Sequence, residues 1–90
     1  MPCVHLLIKG KVQVVFFRVS GRKVALENNL TGWIKNAPDG HVEIETCGKQ
    51  NDLDTFINWC KKGPDRAIVT SLVITKCNNS SFEGFEIRKD

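Results

Sequence analysis

The sequence predicts an α+β domain in which two helices cover one face of an antiparallel sheet. Its 90 residues suffice for about one small domain, which excludes a two-domain cofactor enzyme. Hydrophobic residues make up 41% and charged residues 26%, a balance typical of folded globular chains. Apolar residues alternate along several segments and recur at helical spacing along two others, in the order β-α-β-β-α-β with a short terminal strand.

Three of these elements are predicted in the first half of the chain. Residues 4–9 alternate between apolar and polar side chains, which predicts a strand. The spacing becomes helical over residues 17–28, where Gly21 is expected to weaken the helix. Asn29 is expected to end that helix in the left-handed conformation. Residues 31–36 then predict a short strand, followed by a turn.

The next strand and the second helix are predicted with more detail. Residues 41–47 alternate strictly, with valine and isoleucine toward the core and two glutamates on the other face. Asn51 or Asp52 is expected to cap the second helix, and Gly63 to end it. One apolar stripe at i, i+3, i+4 and i+7 is formed by Leu53, Phe56, Ile57 and Cys60.

Two strands complete the predicted domain. Residues 67–76 are rich in β-branched side chains and predict a long strand, residues 78–81 a loop, and residues 85–88 a short final strand. The whole order is that of a ferredoxin-like β-α-β-β-α-β sandwich, and we expect residues 1–90 to form one domain. Because this fold carries many unrelated functions, it does not by itself indicate any chemistry.

Charge and cysteine content bear on the expected ligands and on the expected compartment of the protein. Thirteen Lys and Arg against ten Asp and Glu give a net charge of +3, which suits an anionic ligand but is too small to indicate nucleic acid. No basic region followed by a long apolar run is present at the N-terminus, so no secretion signal or membrane span is expected. A reducing cytoplasm is therefore predicted. The even number of cysteines also allows two disulfides, but buried, reduced thiols are favoured for Cys3, Cys47, Cys60 and Cys77.

The segment before the first helix is the candidate for chemistry. It contains a glycine, bulky apolar residues and, at its end, Arg18 near the start of the helix. Backbone N–H groups at such a turn, together with the positive end of the helix dipole, form a ready anion site. The guanidinium would add a planar fork that matches phosphate oxygens. Composition alone favours a plainer interpretation, with Phe16 and Phe17 in the core and Arg18 in solvent.

Two sequence strings point to a known family. Residues 10–18, GKVQVVFFR, resemble the acylphosphatase signature G-x-V-Q-G-V-F-F-R. A second signature, G-[FYW]-x-x-N-x-x-x-G-x-V-x-x-x-x-x-G, is matched by Gly32, Trp33, Asn36, Gly40, Val42 and Gly48. The likeness extends from about residue 4 to residue 88, so the chain resembles a free-standing acylphosphatase rather than a fragment of a larger carbamoyl-transferring protein.

The resemblance implies hydrolysis of acyl phosphates to carboxylate and phosphate without a metal ion or other cofactor. Arg18 would hold the phosphoryl oxygens, and Asn36 would position the attacking water. Backbone N–H groups of the loop would also bind phosphate, namely those of Gln13, Val14, Val15, Phe16 and Phe17. The expected ligands are a small acyl phosphate and phosphate or sulfate, the expected state is a monomer, and neither nucleic acid nor membrane is an expected partner.

One departure from the signature leaves alternatives open. Val14 stands where the family has glycine, and a β-branched residue is strained wherever φ is positive. The chain could therefore be a weakened or inactive homologue that binds anions without turnover. A more remote alternative is an RNA-binding module of the same topology, which would need exposed aromatic residues on its central strands. Residues 4–9 and 41–47 contain no aromatic residue.

Overall fold

The computed structural model describes residues 1–13, 16–78 and 82–89. These residues form two helices and five strands in the predicted order. The elements are β1 Cys3–Lys11, α1 Phe17–Glu27, β2 Thr31–Asn36, β3 Val42–Cys47, α2 Gln50–Lys62, β4 Ile68–Cys77 and β5 Phe85–Ile87. Most of the predicted loop at residues 78–81 lies outside the described residues, as do Val14 and Val15.

The strands form one five-stranded sheet in the order β4-β1-β3-β2-β5. The first four strands pair antiparallel, as the ferredoxin-like prediction requires. The terminal strand β5 pairs parallel to β2, with Ile87 opposite Ile34, so the complete sheet is mixed rather than wholly antiparallel. The parallel pairing brings the end of β5 to the same edge of the sheet as the end of β2.

The core lies between the sheet and both helices. Alternate residues of β1, β2 and β3 are fully buried on the helix-facing side, as predicted for Val42 and Ile44. They pack with Phe17 and Ala25 of α1 and with Leu53, Phe56 and Cys60 of α2. Ile57 lies at the partly buried edge of this cluster. Burial raises the pKa of the Cys60 thiol far above its usual range, so this thiol stays protonated and unreactive at neutral pH.

Gly21 permits the close packing of α1. A Cβ atom at this position would lie 2.9 Å from Cδ1 of Ile34 and 3.5 Å from the ring of Trp59. The loss of helix propensity expected from glycine is therefore offset by close approach to both the sheet and α2. Asn29 has a φ of 58°, which confirms the left-handed conformation predicted after the end of α1.

The start of α2 differs from the prediction. The N-cap residue is Lys49, which makes no side-chain capping hydrogen bond, so the capping role predicted for Asn51 or Asp52 is wrong. The helix begins earlier because the Leu53 N–H already donates to the Lys49 carbonyl, at 2.9 Å. Asp52 lies in the first turn, where its charge still favours the helix dipole. Neither helix formed by the described residues is long and apolar enough to cross a membrane.

A disulfide joins Cys3 and Cys47, so the prediction of four reduced thiols is wrong for this pair. The two residues are direct partners across β1 and β3, and their Cα atoms are 4.1 Å apart although 44 positions separate them in sequence. Both residues are buried, with 5% and 2% of their surface exposed. Cysteine spacing does not reveal which strands will be neighbours, and so the pairing could not be predicted.

Reduction of the Cys3–Cys47 disulfide is expected to lower the free energy of unfolding by about 2–4 kcal/mol, because the bond restricts the unfolded chain. In a domain of this size the melting temperature should fall by on the order of 10 °C or more. Thermal melting with and without a phosphine reductant measures the effect. The Cys3→Ala/Cys47→Ala double variant is the control, since its melting temperature should not respond to the reductant. Equal melting temperatures for the intact and the fully reduced protein would contradict the prediction.

Candidate active site

The first turn of α1 has backbone donors that no described side chain caps. Phe16 is the N-cap residue, and its carbonyl accepts the first helical hydrogen bond from the Ser20 N–H at 3.0 Å. No side chain among the described residues caps this end, and the first turn contains no acidic residue. The N–H groups of the first turn therefore lack helical partners and lie at the positive end of the helix dipole. This arrangement favours a bound anion.

Phe16 and Phe17 have opposite environments. Phe17 is fully buried and packs edge-on against Trp59, with ring centroids 5.2 Å apart. Phe16 is 79% exposed, so the interpretation that placed both phenylalanines in the core is wrong for this residue. The reason is its left-handed backbone, with φ of 59° and ψ of 27°, which turns the chain sharply into α1. A phenylalanine in this conformation costs roughly 1–2 kcal/mol, and such strain is characteristic of functional loops.

Arg18 lines a cavity of about 290 Å³ directly beside this helix terminus. The other described residues that line it are Gln13, Phe16, Phe17, Val19 and Ile87. Arg18 is half-buried and forms no ion pair with any described residue. A permanently charged guanidinium without a protein counter-ion is suited to an anion that enters from solvent.

Asn36 lies at the end of β2 and is half-buried. Its Oδ1 atom is buried and has no hydrogen-bond partner among the described residues. Buried acceptors normally have a partner, and a water molecule or ligand commonly supplies it. Asn36 does not line the cavity of Arg18, so the structure does not place both predicted residues in one pocket wall.

Gln13 connects the two parts of the candidate site. Its side-chain Nε2 donates to the carbonyl of Ala37 at 2.6 Å and to the carbonyl of His41 at 2.8 Å. The segment before α1 is thereby fixed to the β2–β3 turn, immediately after Asn36. The sequence predicted only a backbone role for Gln13, because a side-chain contact across 24 residues leaves no local signal. The N–H groups predicted for Val14 and Val15, and the strain expected at Val14, lie outside the described residues.

Two cavity residues were missed by the sequence reasoning. Val19 follows Arg18 in the first turn of α1. Its position next to Arg18 in the sequence could have indicated that it lies at the cavity. Ile87 had no such signal, because the parallel pairing of β5 with β2 brings it there.

Other chemistry-bearing residues lie apart from the cavity. His5 is hydrogen-bonded to Glu43 at 2.7 Å on the sheet, where both side chains are partly exposed. No group of three or more His, Cys, Asp or Glu among the described residues could hold a metal ion. The described strands β1 and β3 carry no aromatic residue, so these two central strands lack the stacking side chains that RNA recognition would need.

Comparison with known proteins gives consistent likenesses over the whole chain. The sequence model described as Acylphosphatase matches residues 4–87. The acylphosphatase of Syntrophus aciditrophicus is 42% identical over an alignment of 91 residues, which covers 100% of this chain and 95% of the relative. The crystal structure of acylphosphatase from Bacillus subtilis superposes with a TM-score of 0.94 at 32% identity, covering 98% of this chain and 99% of the other. An acylphosphatase structure from Coxiella burnetii has a TM-score of 0.93 at 38% identity, covering 97% and 92%.

Proposed function

This chain belongs to the acylphosphatase family, and from that premise we propose that it hydrolyses the carboxyl–phosphate bond of small acyl phosphates. The observation that carries the proposal is the cavity at the start of α1. An arginine without a described counter-ion and an uncapped helix N-terminus meet there, and both favour a phosphoryl group.

In this proposal Arg18 and the backbone N–H groups of residues 13–17 hold the phosphoryl oxygens. The guanidinium neutralises the charge on these oxygens and fixes their orientation. Phosphoryl transfer is catalysed mostly by such positioning and charge stabilisation, since little covalent chemistry is required of the protein. The described site has the donors for this task in Arg18 and the first turn of α1.

We assign to Asn36 the role of orienting the attacking water. The side-chain amide of Asn36, whose Oδ1 has no described partner, turns to hydrogen-bond that water and orients the oxygen lone pair toward phosphorus. An amide does not remove a proton at neutral pH, so Asn36 acts by orientation. Gln13 supports this role because it fixes the backbone next to Asn36 through the carbonyl of Ala37.

The reaction needs no strong general acid. Water forms a new bond to phosphorus while the bond from phosphorus to the carboxyl oxygen breaks, and the electron pair leaves with the carboxylate. Both water protons end on the phosphate, so acyl phosphate dianion and water give carboxylate and dihydrogen phosphate. A carboxylate is a stable leaving group, and a site without metal or acid catalyst therefore suffices in this proposal.

Hydrolysis of acetyl phosphate in water enriched in oxygen-18 tests the proposal. Phosphate release above the uncatalysed rate is expected, with the label in phosphate and not in acetate, because the water attacks phosphorus. Label in acetate would show attack at the carbonyl carbon and overturn the role given to Asn36. A rate equal to the uncatalysed rate would overturn hydrolysis itself and favour the anion-binding alternative.

If the family's glycine has a positive φ, replacing Val14 by glycine is expected to raise kcat/KM for acetyl phosphate by about tenfold, since valine would cost roughly 1–3 kcal/mol there and turn the loop N–H groups away from phosphate. The matched control is Val73→Gly, which makes the same replacement on β4, outside the cavity. An unchanged kcat/KM in Val14→Gly would show that valine is accommodated in the loop without loss of activity.

We also propose that the enzyme acts as a monomer in the cytoplasm. Residues of one chain line the cavity, so the described site does not require a second copy. Disulfides are rare in reducing compartments, and the Cys3–Cys47 bond must therefore be protected there. Burial of both cysteines limits access of thiol reductants, which slows exchange. Analytical ultracentrifugation tests the monomer, which should sediment with the mass of one chain, 10.1 kDa.

A further inference from the structure

The cavity beside Arg18 has an apolar wall that phosphate binding does not require. Phe16, Val19 and Ile87 line it with 79%, 61% and 36% of their surfaces exposed. Exposed apolar side chains that converge on one cavity commonly mark a ligand surface. Other exposed apolar residues, such as Ile68 and Val73, lie on β4 away from this cavity. The apolar residues at the cavity therefore need an explanation in terms of its occupant.

A single anionic group is enough to neutralise the positive charge of the described residues that line the cavity. Of the described residues that line it, Arg18 alone is charged, and Gln13 is the other polar one. The side chain of Gln13 is already engaged by the β2–β3 turn. Once phosphate occupies Arg18, a second anion in the cavity would meet no described counter-charge.

Two arginines beside β5 are engaged in other contacts. Arg22 donates to the carbonyl of Phe85 at 2.9 Å. Arg88 donates to Glu86 at 2.7 Å, and its guanidinium carbon lies 4.9 Å from the ring centroid of Trp33. Neither arginine lines the cavity, so a charged acyl group inside it would gain no partner from them, whereas an apolar acyl group needs none.

The size of the cavity fits a phosphoryl group together with a small apolar group. Its volume is about 290 Å³. A dry cavity of roughly 150 Å³ is enough for benzene. Space therefore remains for a short aliphatic or aromatic acyl group beside the phosphate.

Resting on the proposed hydrolysis, we propose that this site selects acyl phosphates with an apolar acyl group, and that Val19 and Ile87 are specificity-determining residues that contact it. The phosphate is held at Arg18, and the acyl chain lies against the apolar wall. A carboxylate at the end of the acyl chain would lose water against this wall without gaining an ion pair, which is strongly unfavourable.

Butyryl phosphate and succinyl phosphate test this selection, because they have acyl groups of similar length that end in a methyl group and a carboxylate. The uncatalysed phosphate release of each compound is subtracted from its measured rate, because the free carboxylate of succinyl phosphate also attacks its own carbonyl carbon, and the resulting kcat/KM values are compared. We expect the corrected value for butyryl phosphate to exceed that for succinyl phosphate by about tenfold or more. The preference should appear mainly in KM, since the reacting bond is the same.

Substitutions test which residues cause the preference for butyryl phosphate over succinyl phosphate. Val19→Thr and Ile87→Thr place a hydroxyl on the apolar wall, and each is expected to lower the butyryl-to-succinyl ratio by about threefold or more. Val73→Thr makes the first of these replacements at an exposed site on β4 and should leave the ratio unchanged.

The outcomes separate this inference from the proposed function. Turnover of both substrates with equal corrected kcat/KM would overturn the selection and leave the hydrolysis standing. A ratio that falls as far in Val73→Thr as in Val19→Thr would overturn the assignment to the cavity wall. Absence of phosphate release from either substrate would overturn both proposals.

Discussion

Arg18→Ala is expected to lower kcat/KM for acetyl phosphate by about a thousandfold, because the substitution removes the guanidinium that holds the phosphoryl oxygens. The residue lines the cavity and has no described ion pair, so its charge is available to the substrate. The inhibition constant of inorganic phosphate should rise as well, since the ground state uses the same contact. Steady-state phosphate release and phosphate inhibition measure the two effects.

Two further variants distinguish the effect of the bidentate guanidinium geometry of Arg18 from the effect of its positive charge. Arg18→Lys keeps the charge but loses the bidentate geometry, and we expect it to recover only a small part of the lost activity. Lys23→Ala removes one positive charge from an exposed position of the same helix. If Lys23→Ala lowered kcat/KM as much as Arg18→Ala, the arginine would act through the general field of the protein and not through contact with phosphate.

Asn36→Ala is expected to lower kcat by about a hundredfold and to change KM little, because the residue orients water rather than binding phosphate. The unpartnered Oδ1 makes a second expectation possible. A buried acceptor without a partner is unfavourable to folding, so removing it should leave the melting temperature unchanged or raised. Thermal melting therefore accompanies the kinetic measurement.

The control for Asn36 uses the same residue type elsewhere. Asn58→Ala removes an exposed asparagine on α2 and should leave kcat unchanged. Asn36→Asp keeps an oxygen acceptor but adds a negative charge, which should raise KM by repelling the substrate phosphate. A fall in kcat accompanied by a large loss of melting temperature in Asn36→Ala would indicate a structural role for this residue.

Local patterns were sufficient for most of the fold. The alternation of residues 41–47 and the stripe on α2 predict buried faces because each has one side against the core. The bounds predicted for β2 agree with the structure, since its pattern is flanked by turn-forming residues. The start of α2 was less predictable, because capping side chains at Asn51 and Asp52 are available but not used.

The sequence by itself determined the order of elements, the helix-facing residues and the candidacy of Arg18 and Asn36, because these depend on neighbours within a few positions along the chain or on a family signature. The tertiary structure decided the features that depend on which strands lie side by side. Register between β1 and β3 joins Cys3 to Cys47, and the parallel pairing of β5 with β2 brings Ile87 to the cavity. Contacts between residues far apart in sequence follow from packing of the whole chain, and no local pattern of residues encodes them.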